Sequence, residues 1–266
     1  MQEKQHIIKK TILILFVFCN HFFYAQNPFI QNKGQLPSQV ITKTNLPSGV
    51  LFIEKGKCTY TFYNGSELAR RHNQYNSDKS VSAHAYTTTF KNSNQNAEIL
   101  LFDESRYYEN YFLGEKKNWA SVVRSYKKHL QKNIYEGIDL LFFVYEGNLK
   151  FELYVAPNSN TKDIKIQYKG LEDVSISEEG HVVCSTSVNT ILETKPYAYQ
   201  VVGSEKKDIP CEYKLKNREL SFVFPEGYDK NYELVIDPTL DFSTYSGSTS
   251  DNFGYTATYD DLGFLY

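Results

Sequence analysis

Three acidic residues near the middle of the chain could form a catalytic carboxylate pair: Glu136, Asp139 and Glu152. Two carboxyl groups a few ångströms apart act together in glycoside hydrolysis, one as acid and one as base or nucleophile. Asp139 lies between Ile138 and Leu140, and a buried acid there must find a partner or shift its pKa. The alternative, which we prefer, is a backbone hydrogen bond at the start of a strand.

Other catalytic patterns are weak. The sequence contains no GxSxG, HExxH, P-loop or GxGxxG motif. Ser125 with Lys128, and Ser204 with Lys207, have the SxxK spacing of serine–lysine acyl enzymes, but this spacing brings the two groups together only on a helix. Three acids near the end, Asp251, Asp260 and Asp261, lack the ligand spacing of an EF-hand loop and are typical of turns. We therefore predict no catalytic residue, no metal site and no cofactor.

An aromatic cluster is the best candidate for a binding site. The segment 107–114 reads YYENYFLG, and the single tryptophan follows at Trp119. Aromatic rings can stack against sugar rings or pack against a peptide, so a glycan- or peptide-binding module is one hypothesis. The interpretation that we favour is a sandwich core whose hydroxyl groups reach water, because aromatic residues in a β protein are usually part of the packing. The candidate binding residues are Tyr107, Tyr108, Tyr111 and Trp119.

The first residues resemble an export signal. Lys4, Lys9 and Lys10 give a positive start, an apolar run follows from Thr11 to Cys19, and a plausible cleavage site lies after Ala25. The apolar run is short for a membrane span, which favours a cleaved signal over an anchor. An uncleaved N-terminal anchor is the alternative, and it is the one route by which we expect the chain to reach a membrane. The sequence thus predicts a secreted or cell-surface protein with a signal peptide at 1–25.

Composition limits the possible partners and cross-links. The chain of 266 residues has a formal net charge of -2, which argues against sequence-independent nucleic-acid binding. After cleavage three cysteines remain, Cys58, Cys184 and Cys211, which allow one disulfide of undetermined pairing. We favour three separate buried cysteines in strands, each behaving as a small hydrophobic residue. No CxxC pair or His/Cys cluster suggests a zinc site.

The pattern around these residues is that of β-structure. Leu149 to Val155 alternates apolar and polar residues, as a strand with one buried face does. It follows the apolar run Ile138–Tyr145 across Glu146-Gly147-Asn148, which predicts a central hairpin. Short strands separated by turn signals continue to Ile236, without helical periodicity. Strand pairs are predicted across three turns: Val50–Ile53 with Cys58–Tyr63 across 54–57, Val174–Ile176 with His181–Ser185 across 177–180, and Ile209–Lys216 with Glu219–Phe224 across Asn217-Arg218. The sequence therefore predicts an all-β, antiparallel, sandwich-like domain over 26–240.

Six motifs follow one another along the chain: 29–35, 110–114 with Trp119, 135–140, 155–157, 196–200 and 236–240. In this order they resemble the N-terminal domain of secreted bacterial proteins with SBBP-type β-propeller repeats. The tail from Phe242 to Asp251 resembles the opening of a first repeat, although the usual Gly-Gly is Gly247-Ser248 here.

The resemblance implies an exported, non-catalytic module that precedes a propeller. Residues 241–266 would then be an incomplete propeller blade, and the expected partners are downstream repeats of the same chain. A surface glycan or protein is a further possible partner. A carboxylate-based hydrolase and an aromatic binding module remain the alternatives.

Overall fold

The computed structural model describes residues 29–68, 80–145, 148–238 and 240–241. These residues form β-strands, one helical turn at 65–68 and two short 3-10 turns, Lys116–Asn118 and Thr161–Asp163. All strand pairings are antiparallel. The all-β, antiparallel sandwich is thus confirmed. The predicted signal peptide and almost all of the predicted blade lie outside the described residues.

The strands are numbered in chain order. The first nine are β1 (Phe29–Gln31), β2 (Thr42–Leu46), β3 (Gly49–Glu54), β4 (Lys57–Tyr63), β5 (Ala83–Phe90), β6 (Glu98–Tyr111), β7 (Ala120–Tyr135), β8 (Ile138–Tyr145) and β9 (Asn148–Val155). The next five are β10 (Ile166–Lys169), β11 (Asp173–Ile176), β12 (Val182–Ser185), β13 (Thr190–Glu193) and β14 (Tyr197–Val202). The last five are β15 (Glu205–Ile209), β16 (Glu212–Lys216), β17 (Glu219–Val223), β18 (Leu234–Asp237) and β19 (Leu240–Asp241).

The large sheet has β7 near the middle of its strand order, and we call the strands on its two sides the two leaves. The first leaf continues from β7 through β8, β9, β18 and β14 to β15. The second leaf runs through β1 to β5, then β10 and β17, to β16. Only Pro210 and Cys211 separate β15 from β16 in the chain, so the far ends of the leaves return to each other. The two leaves therefore enclose a common core.

The predicted central hairpin lies at the middle of the first leaf. Strands β8 and β9 pair from Ile138 with Val155 to Tyr145 with Asn148. The alternation predicted for β9 is confirmed, because Leu149, Phe151, Leu153 and Val155 are all buried. The ring of Phe151 meets that of Phe90 on β5 edge-on, at a centroid distance of 6.4 Å. This contact joins the two leaves across the core.

A predicted strand over 209–216 is interrupted in the structure. Ile209 is the last residue of β15, in the first leaf, and Glu212 is the first residue of β16, in the second leaf. The break falls at Pro210, because proline has no N–H to donate to the hydrogen bonds between strands. The predicted pairing across Asn217 and Arg218 is confirmed: Lys216 lies opposite Glu219, and both turn residues have positive φ.

A smaller sheet completes the core. It has the order β11-β12-β13-β19, and its buried residues Val182, Cys184 and Ile191 belong to the same apolar cluster as the two leaves. Among the polar contacts that join it to the second leaf is a buried one: the hydroxyl of Tyr168 donates to the carboxylate of Glu193, at 2.9 and 2.8 Å from the two oxygens. Glu193 is only 4% exposed. The junction of the sheets thus contains a buried acid.

Candidate functional site

The three candidate carboxylates lie at two places: Asp139 and Glu152 are on the paired strands β8 and β9, and Glu136 is in the turn before β8. The Asn133 N–H donates to Asp139 Oδ1 at 2.6 Å, and Asn133 itself has a positive φ of 53°. The carboxylate of Glu152 accepts from the Tyr154 hydroxyl, and burial raises the pKa of Glu152. Asp139 thus has the backbone role that we preferred from the sequence, and each of these two acids is already engaged by a protein donor.

Glu136 lies in a different place, at the rim of a polar surface pocket. The pocket has a volume of about 290 Å³ and lies where the β5–β6 loop, the β7–β8 turn and the chain before β10 meet. Neither Asp139 nor Glu152 lines it. Its lining residues are Asn92, Asn94, Tyr135, Glu136, Lys162, Asp163 and Lys165.

Neither of the two SxxK spacings lies on a helix. Ser125 is buried within β7, and Lys128 is three residues further along the same strand. Residues an odd number apart on a strand point to opposite faces of the sheet. Ser204 lies in the turn between β14 and β15. Neither serine is therefore placed beside its lysine as on a helix.

The three cysteines are buried, separate thiols. Cys58, Cys184 and Cys211 are all free, which confirms the interpretation favoured from the sequence. Burial raises the pKa of Cys58 to about 12 and also raises the pKa of Cys184. A thiol held protonated is a poor nucleophile and a poor metal ligand. Among the described residues, no three His, Cys, Asp or Glu side chains are grouped to hold a metal ion.

The aromatic cluster lies on a long hairpin, which we call the arm and define as residues 103–126. It is the part of the β6–β7 hairpin that extends past the pairing of β7 with β8, which ends at Lys128. Its regular pairing is interrupted twice, between Glu104 and Tyr108 and between Glu109 and Tyr111. Such bulges bend a strand pair and change the direction in which side chains point.

One side of the arm packs against β1. Ile30 on β1 forms a small apolar cluster with Ala120 and Val123, and Tyr111 packs against it. Lys33 Nζ donates to the Ser121 carbonyl oxygen at 3.1 Å. The arm is therefore anchored along its inner side.

The end of the arm, which we call the apex and define as residues 112–119, exposes apolar side chains. Leu113 is 82% exposed, Phe112 is 55% exposed and Trp119 is 44% exposed. The rings of Phe112 and Trp119 meet at 5.4 Å and an angle of 66°, and Trp119 Nε1 donates to the Gly114 carbonyl oxygen at 3.3 Å. Isolated exposed apolar residues are ordinary, but a group on one turn marks a contact surface.

The four predicted binding residues do not share one environment. Tyr107 and Tyr108 are 84% and 53% exposed, and the Arg124 guanidinium lies 5.7 Å from the ring centre of Tyr108. Tyr111 is partly buried: Lys43 Nζ lies 5.1 Å from its ring centre and its hydroxyl donates to Glu109. Burial raises the pKa of Tyr111. The packing interpretation favoured from the sequence is thus wrong for Tyr107. Of the four residues, Tyr107 and Trp119 are the two with no cation beside the ring among the described contacts.

Sequence reasoning missed two kinds of residue. Phe112 and Leu113 were part of the recognised cluster but were not selected; their signal was an apolar pair directly before Gly114 in a turn. Tyr197 and Tyr199 alternate on β14, and Lys206 Nζ lies 3.7 Å from the ring centre of Tyr199. That lysine already covers one face of this second aromatic pair.

The structure defines an all-β antiparallel sandwich with an exposed aromatic arm. Residues 29–239 match the model of a family described as a domain of unknown function, DUF7948. The match covers most of the chain, and the chain belongs to this family. No curated protein matches it, and neither does any solved structure. None of the described helical segments has the length and apolar character needed to cross a membrane.

Proposed function

We propose that this chain is a non-catalytic, exported or cell-surface interaction module that precedes a β-propeller. The exposed apex of the arm is the observation that supports an interaction role, because its apolar side chains gain free energy when a partner removes them from water. The proposal of export is supported by the signal-like start of the sequence, and the proposal of a downstream propeller is supported by the resemblance of the sequence motifs. Downstream repeats of the same chain are one partner that would fit this arrangement.

Export gives a direct test. We expect the mature chain to begin at Gln26 and to appear outside the cytoplasm, because the segment 1–25 has the organisation of a cleaved signal. Cell fractionation followed by N-terminal sequencing measures this. The double substitution Leu13→Arg and Leu15→Arg interrupts the apolar run and is expected to retain the full-length chain inside the cell. Retention of the unaltered chain in the cytoplasm would contradict the proposal.

A glycan-binding module is the second candidate, favoured by the accessibility of Tyr107 and Trp119. If a sugar stacks on these rings, oligosaccharides should change the emission of Trp119, which is the single tryptophan of the chain. Tyr107→Ala is expected to weaken the effect, whereas Tyr145→Ala, an exposed tyrosine on β8, should leave it unchanged. An emission spectrum that no oligosaccharide alters would remove this candidate.

A further inference from the structure

We propose that the apex of the arm inserts into the interfacial region of a phospholipid bilayer. This inference deepens the proposed function and rests on it, because an exported chain would meet a membrane from its outer side. It gives the protein a membrane contact that is independent of its N-terminal segment.

The apex has the side chains of an interfacial anchor. Phe112 and Leu113 are adjacent at a turn, so both can enter an apolar layer while the strands remain outside it. Trp119 lies against Phe112, and indole rings favour the boundary between headgroups and acyl chains. The apex therefore presents its apolar surface on a turn.

Charge at the apex suits phosphate headgroups. The apex carries Lys116 and Lys117 against one acid, Glu115, which gives it a charge of +1 (two minus one), whereas the whole chain has -2. Lys117 Nζ is 2.8 Å from Glu115, and both side chains are largely exposed, so this pair holds neither group tightly. Lysines beside an apolar insertion attract anionic lipid. We therefore expect tighter binding to anionic bilayers than to neutral ones.

The edge of the arm is unsuited to adding a partner strand. Asp103 has a φ of 58°, and the first bulge follows between Glu104 and Tyr108. On the other strand, Val122 has a φ of 53°. Irregular backbone and charged residues are devices that block edge-to-edge pairing. Recognition at the arm must therefore use side chains more than backbone groups.

Four of the rings on the arm are also poorly arranged for forming one stacking surface for a sugar. Arg124 and Lys43 lie over Tyr108 and Tyr111, respectively. Phe112 and Trp119 are inclined at 66° and do not form one flat surface. A bilayer imposes no such requirement for parallel rings, since it receives apolar side chains in any orientation. The apex geometry is thus better matched to lipid than to glycan.

The test uses the mature chain with vesicles of phosphatidylcholine, alone or mixed with phosphatidylglycerol. We expect the chain to sediment with the vesicles and the emission of Trp119 to shift to shorter wavelength, more strongly with phosphatidylglycerol. The double substitution Phe112→Asp and Leu113→Asp should weaken binding by about tenfold or more, because it replaces apolar insertion with charge. Lys116→Glu with Lys117→Glu should reduce mainly the preference for phosphatidylglycerol. Val201→Asp, at an exposed position on β14, is the control and should bind as the unaltered chain does.

The outcomes separate this inference from the proposed function. An absence of sedimentation and of any emission shift with both vesicle types would overturn lipid binding. Lipid binding by the apex would also be overturned if the apex double variant and Val201→Asp lost vesicle binding equally while circular dichroism showed both to be folded. If an oligosaccharide binds at Trp119 and vesicles do not, the apex is a glycan-binding site. Lipid binding would then be overturned, but the proposed role as an interaction module would still hold. A chain found in the cytoplasm would contradict the proposed function whatever the vesicles show.

Discussion

Replacing Glu193 by glutamine is expected to make the protein more stable at neutral and alkaline pH and to leave it nearly unchanged in acid. Glu193 is buried where the small sheet meets the second leaf, and its described hydrogen-bond donor is the hydroxyl of Tyr168. Burial raises its pKa to about 7, because a charged carboxylate there loses its hydration. Glutamine keeps an oxygen that can accept from Tyr168 and carries no charge.

The direction follows from proton binding. In the unfolded chain this carboxyl has its ordinary pKa of 4.5, and in the folded chain its pKa is about 7, so the folded state holds the proton more tightly. Stability from this group is therefore fully present below about pH 4.5 and is lost as the pH rises to about 7. The loss should be about 3 kcal/mol, from the difference between the two pKa values.

Denaturant unfolding of both proteins between pH 4 and pH 9 measures the effect. The difference in free energy of unfolding between Glu193→Gln and the unaltered chain should grow with pH and level off above about 7. Glu178→Gln, an exposed acid in the turn between β11 and β12, is the matched control and should show no such growth. A difference that stays constant across this range would show that Glu193 does not carry the pH dependence.

Replacing Phe142 by alanine is expected to cost about 3–5 kcal/mol of the free energy of unfolding. Phe142 on β8 is buried between the leaves, with its ring edge-on to His129 at 5.9 Å and 6.2 Å from Phe151. Removing the ring leaves a cavity that these neighbours cannot fill, because they are fixed on β7 and β9. The measurement is the midpoint and slope of urea unfolding.

Tyr145→Ala is the control for this core substitution. It removes a ring of similar size from the same strand, but Tyr145 is largely exposed, so the cost should be below about 1 kcal/mol. Equal losses for the two variants would contradict the arrangement in which the inner face of β8 forms the shared core. A small loss for Phe142→Ala alone would indicate that the two leaves are not packed across this ring.

Local features of the fold were predictable because they depend on residues close together in the sequence. The buried side of β9 followed from strict alternation, since successive side chains on a strand point to opposite faces. The β3–β4 and β16–β17 hairpins followed from turn residues between apolar runs; Gly56, in the first of these turns, has a φ of 61°. The two strands flanking the turn at 177–180 pair as expected.

Long-range pairing was not predictable from the pattern. Strand β10 lies between β5 and β17, and β18 lies between β9 and β14. No local signal distinguishes these neighbours from others, because many half-apolar strands can pair with one another. The candidate site was recoverable only in part: the aromatic cluster was evident, but the covering of Tyr111 by Lys43 depends on a strand far away in the sequence.

The sequence by itself determined that this protein is built from antiparallel strands, which side of β9 is buried, and where several hairpins turn. Tertiary structure decided that Glu193 is buried against Tyr168 and that Leu113 and Trp119 remain exposed. The physical reason is that alternation and turn chemistry act over a few residues. The burial of an acid or the exposure of a leucine depends on which distant strands fold over it.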